Sequence, residues 1–200
     1  MSNIAKLSLP ATNFEAAVGR TKEVLEAGKK SAGGIPNMYA GMANSPALLD
    51  SYLHGYQLFR SESGFTPAEQ ELVFLSIARV NECTYCVAAH SYIAGAVSKT
   101  PAQAVQAVRD DTPIEDTKLA ALSKFTQTMV SSRGKPTPEE LAVFLNAGYS
   151  EKNVLEIILA IAVKTISNYS NHVLHTPVDA MFKAQAWTPT TMKENNARGE

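Results

Sequence analysis

The sequence predicts an all-α fold, a single-domain helical bundle, and three observations carry that expectation. Three segments open with the same grammar: Thr66-Pro67-Ala68-Glu69, Thr100-Pro101-Ala102-Gln103 and Thr137-Pro138-Glu139-Glu140. Each places Thr at an N-cap, Pro at the first helical position and Glu or Gln at the third, where side chains satisfy otherwise unpaired amide donors. No stretch shows the apolar–polar alternation of a half-buried strand. Of the 200 residues, 45% are hydrophobic and 18% charged, enough apolar surface for a core and too little charge for a disordered chain.

In chain order, Ser45-Pro46 repeats the first half of the start signal and opens a helix. The next helix runs from Pro67 to Val80 and ends near Asn81, which reads as the N-cap of another helix starting around Glu82; one long helix running through is the alternative. Further helices start at Pro101 and Pro138. The segment Asn153 to Tyr169 is apolar on nearly every side and reads as the central, buried helix. Pro177 ends or kinks it, and the polar tail from Thr188 to Glu200 reads as loosely held. Neither a repeat nor a linker divides the chain, so one domain over 1–200 is expected, with its core at about 12–187.

Eighteen basic and nineteen acidic side chains leave a net charge of -1, so neither nucleic acid nor an anionic membrane surface is an expected partner. The longest apolar stretch, Ile157 to Val163, falls short of the ~20 residues that a membrane span needs. Met1 to Phe14 holds no apolar run ahead of a small-residue cleavage site, and the cytoplasm is the expected location.

The candidate chemistry lies between Glu71 and His90. The two cysteines, Cys83 and Cys86, form a Cys-x2-Cys pair. With His90 they follow at i, i+3 and i+7, one face of a helix that Val87, Ile93, Ala94 and Val97 extend as an apolar stripe. Amide dipoles at a helix start favour a thiolate, and His90, one turn beyond Cys86, can take its proton. A second thiol three residues away can then resolve the oxidised product. Glu71 shares a face with Phe74, Leu75 and Ala78; burial against them would raise its pKa and make it a proton carrier. The bland alternatives are a first-turn acid for Glu71, a carbonyl-satisfied core histidine for His90, and small core residues for the cysteines. A zinc site would need a fourth ligand from Glu71 or a distant histidine, His54, His172 or His175.

Glu71, the run Asn81-Glu82-Cys83-Thr84-Tyr85-Cys86 and His90 resemble the alkylhydroperoxidase D / carboxymuconolactone decarboxylase family. Gly34-Ile35-Pro36-Asn37-Met38 and Ser45-Pro46-Ala47-Leu48-Leu49 are similar to its peroxidase-related branch. The resemblance implies an all-α fold assembling as trimers or hexamers, with no cofactor or metal. It implies a peroxidase in which Cys86 attacks a hydroperoxide, Cys83 resolves the sulfenic acid, and Glu71 and His90 form a proton relay. A dithiol or protein reductant would recycle the disulfide. One position departs from the family: Tyr85 stands where a histidine is usual between the cysteines, and a phenol is a poor base at neutral pH. A lyase acting on a small cyclic acid, and a non-catalytic redox-sensing or zinc-holding module, are the other readings.

Other residues stand out more weakly. Asn168, Asn171, His172 and His175 fall on one helical face, at an oligomer contact, at the site, or simply as the polar end of a helix. Met38, Tyr39 and Met42 pack as core or as a lid. Arg79 and Lys164 lie among apolar neighbours as paired core charges of unspecified partners. Surplus apolar surface predicts a homo-oligomer with the Cys86 pocket near a subunit boundary.

Overall fold

A computed structural model describes residues 4–189, so the tail expected to be loose lies outside the described residues from 190 onward. Among the described residues there is no strand, and nine α-helices follow one another: α1 (Gly19–Ala32), α2 (Asn37–Met42), α3 (Pro46–Glu62), α4 (Pro67–Val80), α5 (Thr84–Ala96), α6 (Ala102–Asp110), α7 (Thr117–Ser131), α8 (Pro138–Asn146) and α9 (Glu151–Leu174). A short 3-10 helix, Ala180–Gln185, lies across α5.

Two of the expected starts are full capping boxes, Thr66 with Glu69 and Thr137 with Glu140. A third box, Ser150 with Asn153, opens α9. The start at Thr100 is one residue late: Pro101 is the N-cap of α6, and the Thr100 hydroxyl donates to the Ala68 carbonyl at 3.4 Å. Between α4 and α5 the chain turns sharply. Asn81 closes α4 instead of opening α5, Glu82 takes a left-handed φ of 52°, and Cys83 itself is the N-cap of α5. The break therefore falls where expected, with the cap two residues later. α9 ends at Leu174, short of Pro177, with His175 in a left-handed cap.

The central helix is α4, not α9. Every residue from Glu69 to Ala78 is buried, with α7, α5, α9 and α6 packed around it. α9 buries one face (Ile157, Ala160, Val163, Lys164, Ser167, Asn168, Asn171) and leaves Leu155 66%, Ile158 47% and Tyr169 58% exposed. Pairing, which hydropathy does not register, explains the reversal. The Gln70 amide donates to the Arg60 and Phe65 carbonyls at 3.0 and 3.1 Å, Ser76 meets Ser123 at 2.8 Å, and Glu71 pairs with Arg60. Once its polar groups are partnered, burying such a helix carries no desolvation penalty large enough to expel it.

Aromatic rings link the core to the α5 face: Phe59 packs on Phe74 at 4.6 Å between centroids, Tyr56 stacks on Phe74 at 5.3 Å, and Phe74 reaches His90 at 5.1 Å. Burying a ring the size of Phe74 stabilises by about 2–3 kcal/mol. Gly55 lets α3 approach α9, since a Cβ there would sit 2.8 Å from Val163 Cγ2. The segment after α9 is stapled down by Arg109, which donates to the Gln185 and Ala186 carbonyls at 3.1 and 3.0 Å. Among the described residues no helix is long and apolar enough to cross a membrane.

Candidate functional site

Both cysteines are free and buried at the start of α5. Two turns into the helix, His90 lies between two charges. Its Nδ1 is 2.8 Å from Glu71 Oε2, and its Nε2 is 2.7 Å from Lys164 Nζ, which reaches in from α9. An ammonium only donates, so Nε2 accepts and Nδ1 carries the proton that it donates to the carboxylate. His90 is thereby held neutral: burial and the Lys164 charge lower its pKa.

Glu71 differs from the sequence expectation. Its side chain is fully buried, and burial alone would raise its pKa, but His90 and Arg60 together hold the carboxyl below its ordinary value. Glu71 is an ionised anchor and not a protonated carrier, because Arg60 from α3 sits on its second oxygen. Arg60 also donates to the Tyr56 hydroxyl at 2.7 Å and to Gln70 Oε1 at 3.2 Å.

The two thiols diverge. Burial would push Cys86 up, yet a hydrogen bond from Cys83, the Lys164 charge, His90 and the Asn171 amide carry it well below the usual thiol value. Asn171 Nδ2 lies 3.2 Å from Cys86 Sγ and 3.9 Å from Cys83 Sγ. Cys83 is raised well above the usual value by burial and by donating to Cys86. Cys86 is the thiolate of the pair, and Cys83 keeps its proton.

They also open on different cavities. Cys86, His90 and Lys164 line one of about 310 Å³, walled by Tyr39, Tyr52, Tyr56, Tyr85 and Tyr92, with Met181 and Phe182 from the C-terminal segment. Cys83 lines another of about 250 Å³ with Glu82, Thr84, Tyr85, Asn171, His172, His175 and Thr176. Tyr85 stands in both walls, its hydroxyl donating to Asp179 Oδ2 at 2.5 Å. Burial and that contact push its phenol upward, away from any role as a base. Val87 and Ala94 continue the buried face as expected, whereas Val97 is exposed at the rim of the larger cavity.

The structure thus brings together all four residues of the sequence motif and adds Arg60, Lys164 and Asn171. The buried Lys164, expected to be a paired charge, has His90 as its partner. Arg79 pairs with Asp111 at 2.8 Å, away from the thiols. Of the α9 face, Asn171 reaches both thiols, His172 lines the cavity on which Cys83 opens, and Asn168 accepts from Asn81 Nδ2 at 2.9 Å. His175 Nε2 contacts the Ile4 carbonyl at 3.1 Å at the cavity rim, and His54 is exposed on α3. Met38, Tyr39 and Met42 are core, the first two also lining the larger cavity. Among the described residues no three His, Cys, Asp or Glu side chains converge as a metal site.

Residues 46–127 match the model of the Carboxymuconolactone decarboxylase family. No curated protein matches the chain. Among solved structures, the alkylhydroperoxidase AhpD core of an uncharacterized peroxidase-related protein from Ralstonia eutropha JMP134 is similar, with a TM-score of 0.76 at 18% identity over 91% of this chain and 96% of that one. An uncharacterized peroxidase-related protein from Silicibacter sp. TM1040 gives 0.73 at 17% identity, covering 90% and 95%. The debrominase Bmp8 in complex with 2,3,4-tribromopyrrole gives 0.69 at 16% identity, covering 92% and 96%.

Proposed function

We propose that this chain is a dithiol peroxidase, from the premise that residues 46–127 match the Carboxymuconolactone decarboxylase family on a fold shared with alkylhydroperoxidase D-like proteins. One observation carries the reading: a buried Cys86 whose thiolate is favoured by Lys164, His90 and Asn171, one turn from a protonated Cys83. The Cys86 thiolate attacks the distal oxygen of a hydroperoxide, the O–O bond breaks, and the alkoxide takes a proton from the Lys164 ammonium. Cys83 then gives up its proton and attacks the sulfenic sulfur; the S–S bond forms, the S–O bond breaks, and the departing hydroxide is protonated to water. A dithiol or protein reductant supplies two electrons to reopen the disulfide, which suits a compartment that keeps thiols reduced, such as the cytoplasm. Glu71 orients His90, His90 positions Lys164, and Arg60 holds Glu71 ionised.

Peroxide consumption with dithiothreitol as reductant tests this. Wild type turns over and Cys86→Ser does not; equal rates would overturn the proposal, leaving the lyase and sensor readings.

A second reading has one observation in its favour, the tyrosine-lined wall beside Cys86, which suits a flat aromatic ring. The same dithiol can reduce a halogenated aromatic: two thiols give two electrons, halide leaves, and a proton takes its place on carbon. Halide release from a bromopyrrole by wild type, absent in Cys86→Ser, would favour it.

The exposed apolar side chains of α9, with a groove of about 410 Å³ against Met129 and Val130 of α7, support self-association as a trimer or hexamer. Light scattering coupled to gel filtration tests it, and the mass of one chain at micromolar concentration would overturn it.

A further inference from the structure

Cys83 presents a problem that the groups around Cys86 do not solve. Its thiol is buried and protonated, yet it must give up a proton as it attacks. The neighbouring phenol, Tyr85, is committed to Asp179. Lys164 and His90 lie in the cavity on the Cys86 side. On the Cys83 side stands His172, whose ring stacks against Tyr169 with centroids 6.3 Å apart. Its Nε2 is buried and has no hydrogen-bond partner among the described residues. A buried ring nitrogen without a partner costs free energy that its surroundings must offset, and such an atom calls for an explanation.

We propose that His172 is the base that takes the Cys83 proton when the disulfide forms. The inference rests on the dithiol peroxidase reading and adds a second proton path, separate from the Glu71–His90–Lys164 chain. The Cys83 Sγ–H bond breaks with the proton relayed by solvent, across the small cavity that both side chains line, to His172 Nε2, and the Sγ–Sγ bond forms as the Cys86 S–O bond breaks. The departing hydroxide becomes water with a proton from solvent, and His172 returns one to solvent through the smaller cavity. When a dithiol later reopens the disulfide, Cys83 leaves as thiolate and regains its proton by the reverse route.

The surroundings suit a neutral base. Facing His172 are Glu82, Cys83, Tyr85 and Cys86 from the α4–α5 turn and α5, with Tyr169 from its own helix and His175 from that helix's cap; of the described N-terminal residues, Ile4 lines the cavity. Burial lowers the His172 pKa against the opposing pull of Cys86 and Glu82, so the ring is free to accept a proton at neutral pH.

The test separates the two steps by quenching with dimedone, which traps sulfenic acid on Cys86, and by counting disulfide by mass. In His172→Ala the disulfide step should slow about a hundredfold at pH 7 relative to wild type, the usual scale for a lost general base. Its rate should climb with pH as Cys83 ionises unaided, where wild type is flat, and added imidazole should restore it. A purely structural role would show neither the pH slope nor the rescue. A wild-type rate with a flat profile in His172→Ala would overturn the inference. If wild type never forms the sulfenic acid, the peroxidase reading fails instead. Oxidised dithiothreitol then serves as oxidant, because closing the disulfide still demands the Cys83 proton and the same comparison decides.

Discussion

Cys86 and Cys83 are one helical turn apart, yet the structure treats them as opposites. Cys86 faces a cavity walled by aromatic rings and backed by Lys164, His90 and Asn171, which favour its charged form. Cys83 faces a smaller, polar cavity and is held protonated by burial and by its donation to Cys86. The difference teaches that a thiol's role comes from what the rest of the fold brings against it. The Cys-x2-Cys spacing is symmetric on paper; the asymmetry arrives with Lys164 and Asn171 of α9, which favour the charged form of Cys86.

The largest expected effect erases that asymmetry. Lys164→Met keeps length and apolar stem while removing the charge that favours the Cys86 thiolate and protonates the alkoxide. Oxidation of Cys86 by peroxide should fall about a thousandfold at neutral pH. In wild type the rate should stay flat through neutrality and drop only as pH falls through the depressed Cys86 value; in the variant that drop should move to higher pH. Stopped-flow rates across pH decide it, and an unchanged profile would remove Lys164 from the mechanism.

Next comes Glu71→Gln, which tests the anchor behind Cys86. Gln can still accept from His90 Nδ1, but Arg60 loses its counter-charge in a largely buried pair. Breaking such a pair should cost about 3 kcal/mol in urea unfolding, somewhat less to the extent that the partly exposed Arg60 finds water. A midpoint equal to wild type would show Glu71 to be unpaired in solution.

Tyr85→Phe sharpens the comparison at the wall between the cavities. It deletes the hydrogen bond to Asp179, which keeps the Asn37 amide at 3.1 Å as a donor. The expected loss is about 1.5 kcal/mol. Faster proteolysis after Lys183 would localise the loosening to the segment that closes the Cys86 cavity; uniform loosening would argue against a local role.

The mildest effect is on acid stability. His90 and Glu71 both have folded pKa values lowered, so the unfolded chain binds protons that the folded chain refuses. Their contributions are present above the unfolded values and are lost as pH falls toward the folded ones. For His90 that window opens near pH 6.5, and for Glu71 near pH 4.3. Each group adds at most about 1.4 kcal/mol per pH unit. Thermal unfolding between pH 7 and 4 measures it, and a rise in stability over that range would contradict the neutral assignment of His90.

The opposite fates of α4 and α9 show where sequence reading stops. Capping residues at Thr66 and Thr137, the break near Asn81 and the common face of Cys83, Cys86 and His90 are local facts, set by 3.6-residue periodicity and by which side chain can reach an amide three residues on. They determined the all-α architecture and most of the motif that carries the chemistry. Which helix sits at the centre was not local. α9 reads as more apolar than α4, but α4 is the one surrounded, because Arg60, Ser123, Thr66 and Tyr149 supply partners for its polar groups. Only the tertiary structure could place Lys164 on His90, 74 residues away, or Asn171 on Cys86, 85 residues away. A charge in an apolar stretch announces that it has a partner; which partner depends on helix packing, a long-range property that no window of sequence contains. The protonation of Glu71, His90 and the two thiols followed from those contacts, since pKa values respond to charges within a few ångströms and not to neighbours in the chain.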